Sequence, residues 1–285
     1  MALGLRAAGY EVCGFDNFSR PGSEGNRPRI EAAGIEFWRG DVRREEDLER
    51  VKGIDWVIDA AANPSVLAGV DGKTGSKELL EHNLWGTVHL LEVCKREQAG
   101  LILLSTSRVY SIDALCALPV VAKDGAFALP ESLAAVGPQG VTEEFSTAAP
   151  ISLYGASKLA SEQIALEYGS AFGFPVWVNR CGVMAGAGQF GKPDQGIFSY
   201  WIHSWAQGAP LQYIGFGGTG HQVRDCLHPA DLLALLVKQM AAGGRAGRRI
   251  FNVGGGAASA RSLRQLSEWC AQEFGPHEVA VDLSP

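Results

Sequence analysis

A tyrosine and a lysine four residues apart, Tyr154 and Lys158 in the stretch SLYGASK, have a spacing that indicates chemistry. Residues i and i+4 share one face of a helix, so the phenol and the ammonium would lie side by side. A neighbouring cation favours the phenolate and lowers the pKa of a tyrosine. A phenolate formed near neutral pH can remove a proton from a hydroxyl group as a general base. The pair alone is a weak motif, because an ordinary surface helix can carry it by chance.

Hydroxyl side chains end a second segment of interest. The apolar run LILL predicts a buried strand over 101–106. This strand ends with Ser105 and Thr106, and Ser107 follows it. Ligands of open α/β sheets bind at the carboxyl ends of the strands. We therefore expect a hydroxyl there to hydrogen-bond the substrate oxygen that Tyr154 deprotonates. The alternative is a cluster of capping residues.

Short apolar runs alternate with longer helical patterns along the chain, which predicts an α/β fold with a doubly wound parallel sheet. The predicted strands are 10–15, 35–40, 54–61, 101–106, 175–180, 211–215 and 249–254. The predicted helices are 77–97, 152–172, 195–207, 229–242 and 261–274. The stretch 111–141 is rich in Ala, Pro and Gly with weak periodicity, and we expect it to be an insertion or a flexible loop over the site.

Composition excludes several classes of partner. The 285 residues are 46% hydrophobic and 20% charged, as in soluble globular proteins, and the net charge of −6 argues against nucleic acid. The chain lacks an apolar run of about 18 residues, so we expect no membrane span. The six cysteines form no Cys-x-x-Cys, which predicts reduced thiols, a cytoplasmic location and no metal site.

An acidic residue after the first predicted strand indicates a dinucleotide site. Asp16 can accept hydrogen bonds from an adenosine ribose and would repel a 2′-phosphate, which favours NAD over NADP. The phosphate-binding glycine loop should lie about 20 residues before such an acid. Only 15 residues precede Asp16, so we expect the first strand and the glycine loop of the fold to be missing from this sequence.

Three further positions could meet the same cofactor. Asp41 follows the strand 35–40, where a side chain can reach the adenine. Small residues at 60–62 would let a pyrophosphate or ribose approach the backbone. Asn83 opens the long helical segment; it is a cofactor contact or, as an alternative, a helix cap or a core polar group.

The order of these motifs resembles the extended short-chain dehydrogenases/reductases, the NAD-dependent epimerases and dehydratases of nucleotide sugars. The resemblance implies a Rossmann-type fold that binds NAD, with Thr106, Tyr154 and Lys158 as the catalytic residues. It implies cofactor contacts from Asp16, Asn17, Asp41, Val42, Ala60, Ala61, Ala62, Asn83, Ser105, Tyr154, Lys158 and Arg180.

The residues after Thr106 bear on the type of reaction. The dehydratases of this family carry Asp-Glu there, whereas this chain has Ser107 and Arg108, which cannot act as carboxylic acids. We therefore expect a redox-neutral epimerase. The segments 15–20, 188–196 and 221–231 resemble a subgroup that acts at C2 of a CDP-linked dideoxyhexose. The alternatives are a 4-epimerase of UDP-hexoses and a non-catalytic protein that binds nucleotide sugars.

The resemblance also implies a division of the chain. An NAD-binding domain would comprise 1–180 and 228–253, and a small substrate-binding lobe would comprise 181–227 and 254–285. The nucleotide-sugar substrate would contact Thr106, Gln189, Gln195, Arg224 and His228, although His228 could instead be a core histidine. The aromatic stripe at 200–205 is more typical of a core than of a sugar platform. Whether the protein forms a homo-oligomer stays open.

Overall fold

A computed structural model describes residues 1–70, 72–189, 191–192, 195–244 and 247–282. The helices, in chain order, are α1 (Ala2–Ala7), α2 (Arg27–Ala32), α3 (Glu45–Leu48), α4 (Ser76–Leu80), α5 (Gly86–Glu97), α6 (Ile112–Cys116), α7 (Ser152–Phe172), α8 (Ile197–Ala206), α9 (Pro229–Ala242) and α10 (Leu263–Phe274). The strands are β1 (Cys13–Asp16), β2 (Glu36–Arg39), β3 (Trp56–Asp59), β4 (Gly100–Thr106), β5 (Val121–Lys123), β6 (Ala126–Ala128), β7 (Val136–Gly137), β8 (Gly140–Val141), β9 (Val176–Cys181), β10 (Val183–Met184), β11 (Leu211–Tyr213), β12 (Val223–Leu227), β13 (Ile250–Val253), β14 (Ala260–Ser262) and β15 (Val279–Val281).

The predicted α/β class is confirmed, with a parallel sheet at its centre. Strands are ordered β13-β9-β4-β3, and β3 runs parallel to β4 with Asp59 opposite Leu103. Strands β1 and β2 form a second parallel ladder. Within the described residues, β1 pairs only with β2 and β3 only with β4. The residues of β4 and β9 are all buried, whereas those of β1 and β3 are mostly half-exposed.

Helix α7 packs against the central strand β4 and against α5. Its residue Ala165 joins a core cluster with Leu101, Leu103, Val176 and other apolar residues of this sheet. The helix ends at Gly173, which has a left-handed φ of 77° and donates its N–H to a carbonyl of the last turn at 3.0 Å. The predicted span 152–172 therefore agrees with the structure at both ends.

The chain divides into two compact units. The first comprises 1–109, 151–180 and 229–251, and the second comprises 110–150, 181–228 and 252–285. The second unit has its own aromatic core, in which Trp201 stacks on Tyr213 and Trp205 is buried. The expectation that the aromatic stripe belongs to a core is thus confirmed. The stretch 110–150 lies in the second unit, although the sequence analysis placed it in the NAD-binding domain; the functional boundaries stay a prediction.

The stretch 111–141, expected to be an insertion or a flexible loop, contains several short elements. It contains α6, capped by the Ser111 hydroxyl, and the two hairpins β5–β6 and β7–β8. The first hairpin turns at Asp124 and Gly125, which both have positive φ, 50° and 73°. Asp-Gly favours this tight turn because both central residues must adopt the left-handed conformation.

The helices can also be compared with the thickness of a membrane. In the described part of the chain, none is both long and apolar enough to cross a bilayer.

A reciprocal amide pair joins β9 to α9 inside the first unit. The side chains of Asn179 and Gln239 exchange two hydrogen bonds, of 2.9 and 2.8 Å, and both residues are buried. We expect Asn179→Ala to lower the free energy of unfolding by about 1–3 kcal/mol, because the buried amide of Gln239 loses its partner. Urea unfolding followed by circular dichroism measures this loss.

Two further variants control this prediction. The double variant Asn179→Leu/Gln239→Leu should recover part of the stability, because it removes both polar groups together. The exposed Gln272→Ala should have little effect. Equal unfolding free energies for Asn179→Ala and the wild type would contradict the role given to the pair.

Candidate active site

Tyr154 and Lys158 lie on the buried face of α7. Tyr154 is 8% exposed, Lys158 1% and Glu162, one turn further, is fully buried. In the described part of the chain, the Lys158 ammonium makes neither a hydrogen bond nor an ion pair with a protein group. The Lys158 ammonium therefore keeps its donors available, and its contact with a cofactor stays a prediction.

The helix is held in place by a buried ion pair that the sequence analysis missed. The Arg180 guanidinium, from β9, donates to both oxygens of Glu162, with Nη2 2.7 Å from Oε2 and Nε 3.1 Å from each oxygen. The Ser105 hydroxyl, from β4, also donates to Glu162. Ser105 and Arg180 were predicted to contact the cofactor; the structure assigns them to Glu162, and any cofactor contact stays a prediction.

The carboxyl end of β4 meets α7 beside the tyrosine. After Thr106 the chain forms a 3-10 turn, Ser107–Val109, and the Arg108 N–H donates to the Thr106 hydroxyl oxygen at 3.2 Å. A Cβ added to Gly155 would stand 2.3 Å from the Arg108 carbonyl oxygen, so only glycine permits this approach. The structure therefore brings the strand end that carries Thr106 against the helix turn that carries Tyr154.

Asn83 is a core polar group within a continuous helical segment. The segment Glu81–Trp85 between α4 and α5 is π-helical, a local distortion that is frequent at functional sites. The Asn83 amide donates to the Ser157 hydroxyl at 3.2 Å and the Asn63 carbonyl at 3.1 Å, and accepts from the Asn63 N–H at 2.7 Å. Asn83 thus ties the loop after β3 to α7. The alternative of a helix cap is wrong, and contact with a cofactor stays a prediction.

Small residues line the chain after β3. Ala60 and Ala62 are exposed and Ala61 is half-buried. The loop is held by the buried Asp59, which accepts hydrogen bonds from the Ala61 N–H at 3.1 Å and the Thr87 hydroxyl at 2.7 Å. The backbone of this loop is therefore fixed, with little side-chain bulk between it and a ligand.

The acidic residues after β1 and β2 have different surroundings. Asp16 is exposed, and one oxygen accepts the Phe18 N–H at 2.7 Å. The Asp41 carboxylate accepts from the Arg43 guanidinium at 3.0 and 2.7 Å and from the Asn17 amide at 3.1 Å. Hydrogen bonding by Arg43 holds the pKa of the Asp41 carboxyl well below its usual range. Asp41 and Asn17 are thus joined to each other, whereas Asp16 keeps acceptor capacity for a ligand.

Val42, predicted beside the cofactor, is buried between two residues of α5. Its carbonyl lies 2.8 Å from the Nδ1 atom of His89, and a Cβ on Gly86 would stand 2.6 Å from its side chain. Val42 thus packs the segment after β2 against α5. Its contact with a cofactor stays a prediction.

Four predicted substrate contacts belong to the second unit. The Gln189 amide donates to the Met184 carbonyl at 2.7 Å and accepts from the Ser199 hydroxyl at 2.6 Å, so it holds its own segment together. The Gln195 backbone forms a bridge with Lys192. The motif 188–196 also includes Phe190, Pro193 and Asp194, which lie outside the described residues.

Arg224 and His228 lie on or just after β12. The Arg224 guanidinium donates to the Val223 carbonyl at 2.9 Å, and its side chain is half-buried. His228 is exposed, so the alternative of a core histidine is wrong. The roles of Gln189, Gln195, Arg224 and His228 toward a substrate stay predictions. Groups of three or more potential metal-ligating side chains are absent from the described residues, and the expectation of no metal likewise stays a prediction.

Comparison with known proteins gives a consistent set of relatives. Residues 2–254 match the model of the NAD dependent epimerase/dehydratase family. CDP-paratose 2-epimerase of Salmonella typhi is 30% identical over 271 residues, which cover 90% of this chain and 75% of that protein. UDP-glucuronate 4-epimerase 4 of Arabidopsis thaliana is 26% identical, covering 89% of this chain and 56% of that protein. This chain therefore spans between about half and three quarters of these two relatives.

Solved structures agree in fold. UDP-glucose 4-epimerase of Bifidobacterium longum, in complex with NAD+ and UDP, superposes with a TM-score of 0.74 at 25% identity, covering 100% of this chain and 82% of that chain. UDP-glucose 4-epimerase of Thermus thermophilus, in complex with NAD, gives a TM-score of 0.72 at 25% identity with the same coverage.

The pair Asp41–Arg43 predicts a pH dependence of stability. The pKa of Asp41 is lower in the folded protein than the ordinary value of about 3.9, so the folded state binds fewer protons. The ionised Asp41 carboxylate therefore contributes fully to the free energy of unfolding above about pH 5. This contribution is lost as the pH falls below about 4. We expect Asp41→Asn to be less stable than the wild type at neutral pH, with a difference that shrinks in acid. Urea unfolding of both proteins, at neutral pH and in acid, measures this difference in the free energy of unfolding.

The exposed Asp55→Asn serves as the matched control for the loss of one carboxylate, and we expect it to leave this pH dependence unchanged. A stability difference between Asp41→Asn and the wild type that stayed constant from neutral pH to acid would show that the contribution of Asp41 is not ionic.

Proposed function

Because the chain belongs to the NAD dependent epimerase/dehydratase family, we propose that it is an NAD-dependent nucleotide-sugar epimerase whose substrate is a CDP-linked dideoxyhexose such as CDP-paratose. The observation that carries this proposal is the buried pair Tyr154 and Lys158 on α7, beside the strand end that holds Thr106. Family membership also agrees with the resemblance that the sequence motifs indicate.

Three features of the first unit suit parts of NAD. Lys158 offers a buried ammonium that lacks a protein acceptor among the described residues and suits the hydroxyls of a ribose. Asp16 offers an exposed carboxylate at the end of β1, and the loop at 60–62 offers a fixed backbone with small side chains. Bound NAD would supply the acceptor, and then the donor, of the hydride at one carbon of the sugar.

Side chains of the protein accept and return the proton of the reacting hydroxyl. The Tyr154 phenolate takes this proton when the carbon is oxidised to a ketone and gives it back when the carbon is reduced again. Lys158 stabilises the phenolate by charge attraction. The Thr106 hydroxyl hydrogen-bonds the same oxygen and holds it toward Tyr154. The sugar gains and loses no atoms overall, and one stereocentre is inverted.

The turn after Thr106 supports epimerisation over dehydration. Elimination of water needs an acid to protonate the leaving hydroxyl, and neither Ser107 nor Arg108 carries a carboxyl group. A second candidate is a 4-epimerase of UDP-hexoses, which the structural similarity to two UDP-glucose 4-epimerases at 25% identity supports.

The test incubates the purified protein and NAD with CDP-paratose or, in parallel, UDP-glucose. We expect a product that differs from CDP-paratose only in its C2 configuration, with no net formation of NADH. Tyr154→Phe should reduce turnover by about 10²–10⁴-fold because the general base is removed. NMR of the product and absorbance of reduced nicotinamide give these measurements.

Tyr168→Phe is the matched control, because it also removes a phenolic hydroxyl from α7. The Tyr168 hydroxyl donates a hydrogen bond to Glu92. It should keep wild-type turnover. A preference for UDP-glucose would support the second candidate. A stable 4-keto-6-deoxy product, or full turnover by Tyr154→Phe, would overturn the proposed reaction.

A further inference from the structure

Arg39, the last residue of β2, is an exposed arginine that the proposed function leaves unused. In the parallel ladder of β1 and β2 it is paired directly with Asp16, the last residue of β1. Directly paired residues of neighbouring strands point to the same face of a sheet. The preceding pair shows this face, because a Cβ added to Gly14 would lie 3.4 Å from the Phe37 ring. Arg39 and Asp16 therefore leave the ladder side by side.

The ring of Phe18 supports the Arg39 guanidinium. The Asp16 carboxylate accepts the Phe18 N–H at 2.7 Å, and Phe18 adopts a left-handed φ of 55°. In this conformation the ring of Phe18 lies 5.8 Å from that of Phe37, and the Cζ atom of Arg39 lies 5.9 Å from the centre of the Phe18 ring. An aromatic face attracts a guanidinium without occupying its N–H donors. The Arg39 side chain is thus located beside Asp16 with its donors available.

The Arg39 guanidinium has no acceptor in the part of the chain that the structure describes. It forms neither a hydrogen bond nor an ion pair there, and this includes its direct neighbour Asp16. A guanidinium presents a planar fork of N–H donors that suits the oxygens of a phosphate. One oxygen of Asp16 is engaged by the Phe18 N–H. Both charged groups can therefore meet the same ligand.

Two other carboxylates near the end of β2 have cations of their own. Glu36 accepts from the Arg50 guanidinium at 3.2 Å, and Asp41 accepts from Arg43 at 2.7 Å. Neither acid therefore needs Arg39 as its partner. A phosphate beside Asp16 would be repelled by that carboxylate and attracted by the adjacent guanidinium. Because the two charges are equal and opposite and leave neighbouring positions, their effects on such a phosphate largely offset each other.

We propose that Arg39 is a specificity-determining residue that lets the adenosine site at Asp16 accept a 2′-phosphate, so that this chain binds 2′-phosphorylated adenine nucleotides such as NADP besides NAD. An acid at the end of this strand alone selects the free 2′-hydroxyl, whereas an arginine nearby accommodates the phosphate. This inference rests on the proposed function only in placing the adenosine ribose of the cofactor at Asp16.

Isothermal titration calorimetry of the full chain with 2′,5′-ADP and with ADP tests the inference without nicotinamide or sugar. We expect the wild type to bind both nucleotides with similar dissociation constants. Arg39→Gln should weaken the binding of 2′,5′-ADP by about tenfold or more, as the loss of a charge-assisted hydrogen bond does, and leave ADP unchanged. Arg39→Lys should lose less, because it keeps the charge. Asp16→Asn should favour 2′,5′-ADP over ADP, because the repulsion is removed.

Two controls make the assignment specific. With 3′,5′-ADP, which carries the same charge on the other hydroxyl, Arg39→Gln should have a smaller effect than with 2′,5′-ADP. Arg29→Gln removes an exposed arginine from α2 and should leave every nucleotide unaffected. Circular dichroism checks that each variant is folded. An equal loss of ADP and 2′,5′-ADP in Arg39→Gln, an equal loss of 3′,5′-ADP, or an equal effect of Arg29→Gln would overturn the inference.

The two nucleotides also separate this inference from the proposed function. If ADP binds and 2′,5′-ADP does not, Arg39 fails to offset Asp16, and the inference is overturned while the site for NAD stands. If neither nucleotide binds, the adenosine site itself is absent, which overturns both the inference and the NAD-dependent reaction of the proposed function.

Discussion

The buried ion pair between Glu162 and Arg180 is the interaction on which the site depends. It joins α7 to β9, and the Ser105 hydroxyl extends it to β4. Breaking such a pair leaves an uncompensated buried charge, which costs about 3–5 kcal/mol. A whole domain is stable by only about 5–15 kcal/mol, so the pair is a large part of what keeps this helix in place. Because Lys158 and Tyr154 lie on the same helix face as Glu162, their direction is fixed by this contact.

Two further contacts complete the positioning of α7. The absence of a side chain at Gly155 lets the turn after Thr106 approach the helix beside Tyr154. Asn83 connects the loop after β3 to Ser157. The ends of β3 and β4 are thereby tied to one helix, although they are separate parts of the chain. The Tyr154 phenol, the strand end with Thr106 and the loop after β3 are therefore held at one helix.

The sequence predicted the elements whose signals are local. The helix 152–172 has a helical pattern and the strand 101–106 is a continuous apolar run, and Tyr154 and Lys158 were predicted from their spacing together with the order of the other motifs. Glu162 was missed because its importance arises from Arg180 and Ser105, which are distant in sequence. The hairpin at Asp124 and Gly125 was missed for another reason: its turn signal is present, but its strands are only three residues each and mostly exposed or half-buried.

A double-mutant cycle on Glu162 and Arg180 tests the central claim most directly. Urea unfolding gives the stability of Glu162→Ala, Arg180→Ala and the double variant. Each single change should lower the free energy of unfolding by about 3–5 kcal/mol. The double variant should lose clearly less than the sum of the two single losses, with a coupling energy in the range of about 0.5–3 kcal/mol that contacting residues show. Additive losses would mean that the two side chains act independently, and would contradict the claim that their contact holds α7, with Tyr154 and Lys158, in place.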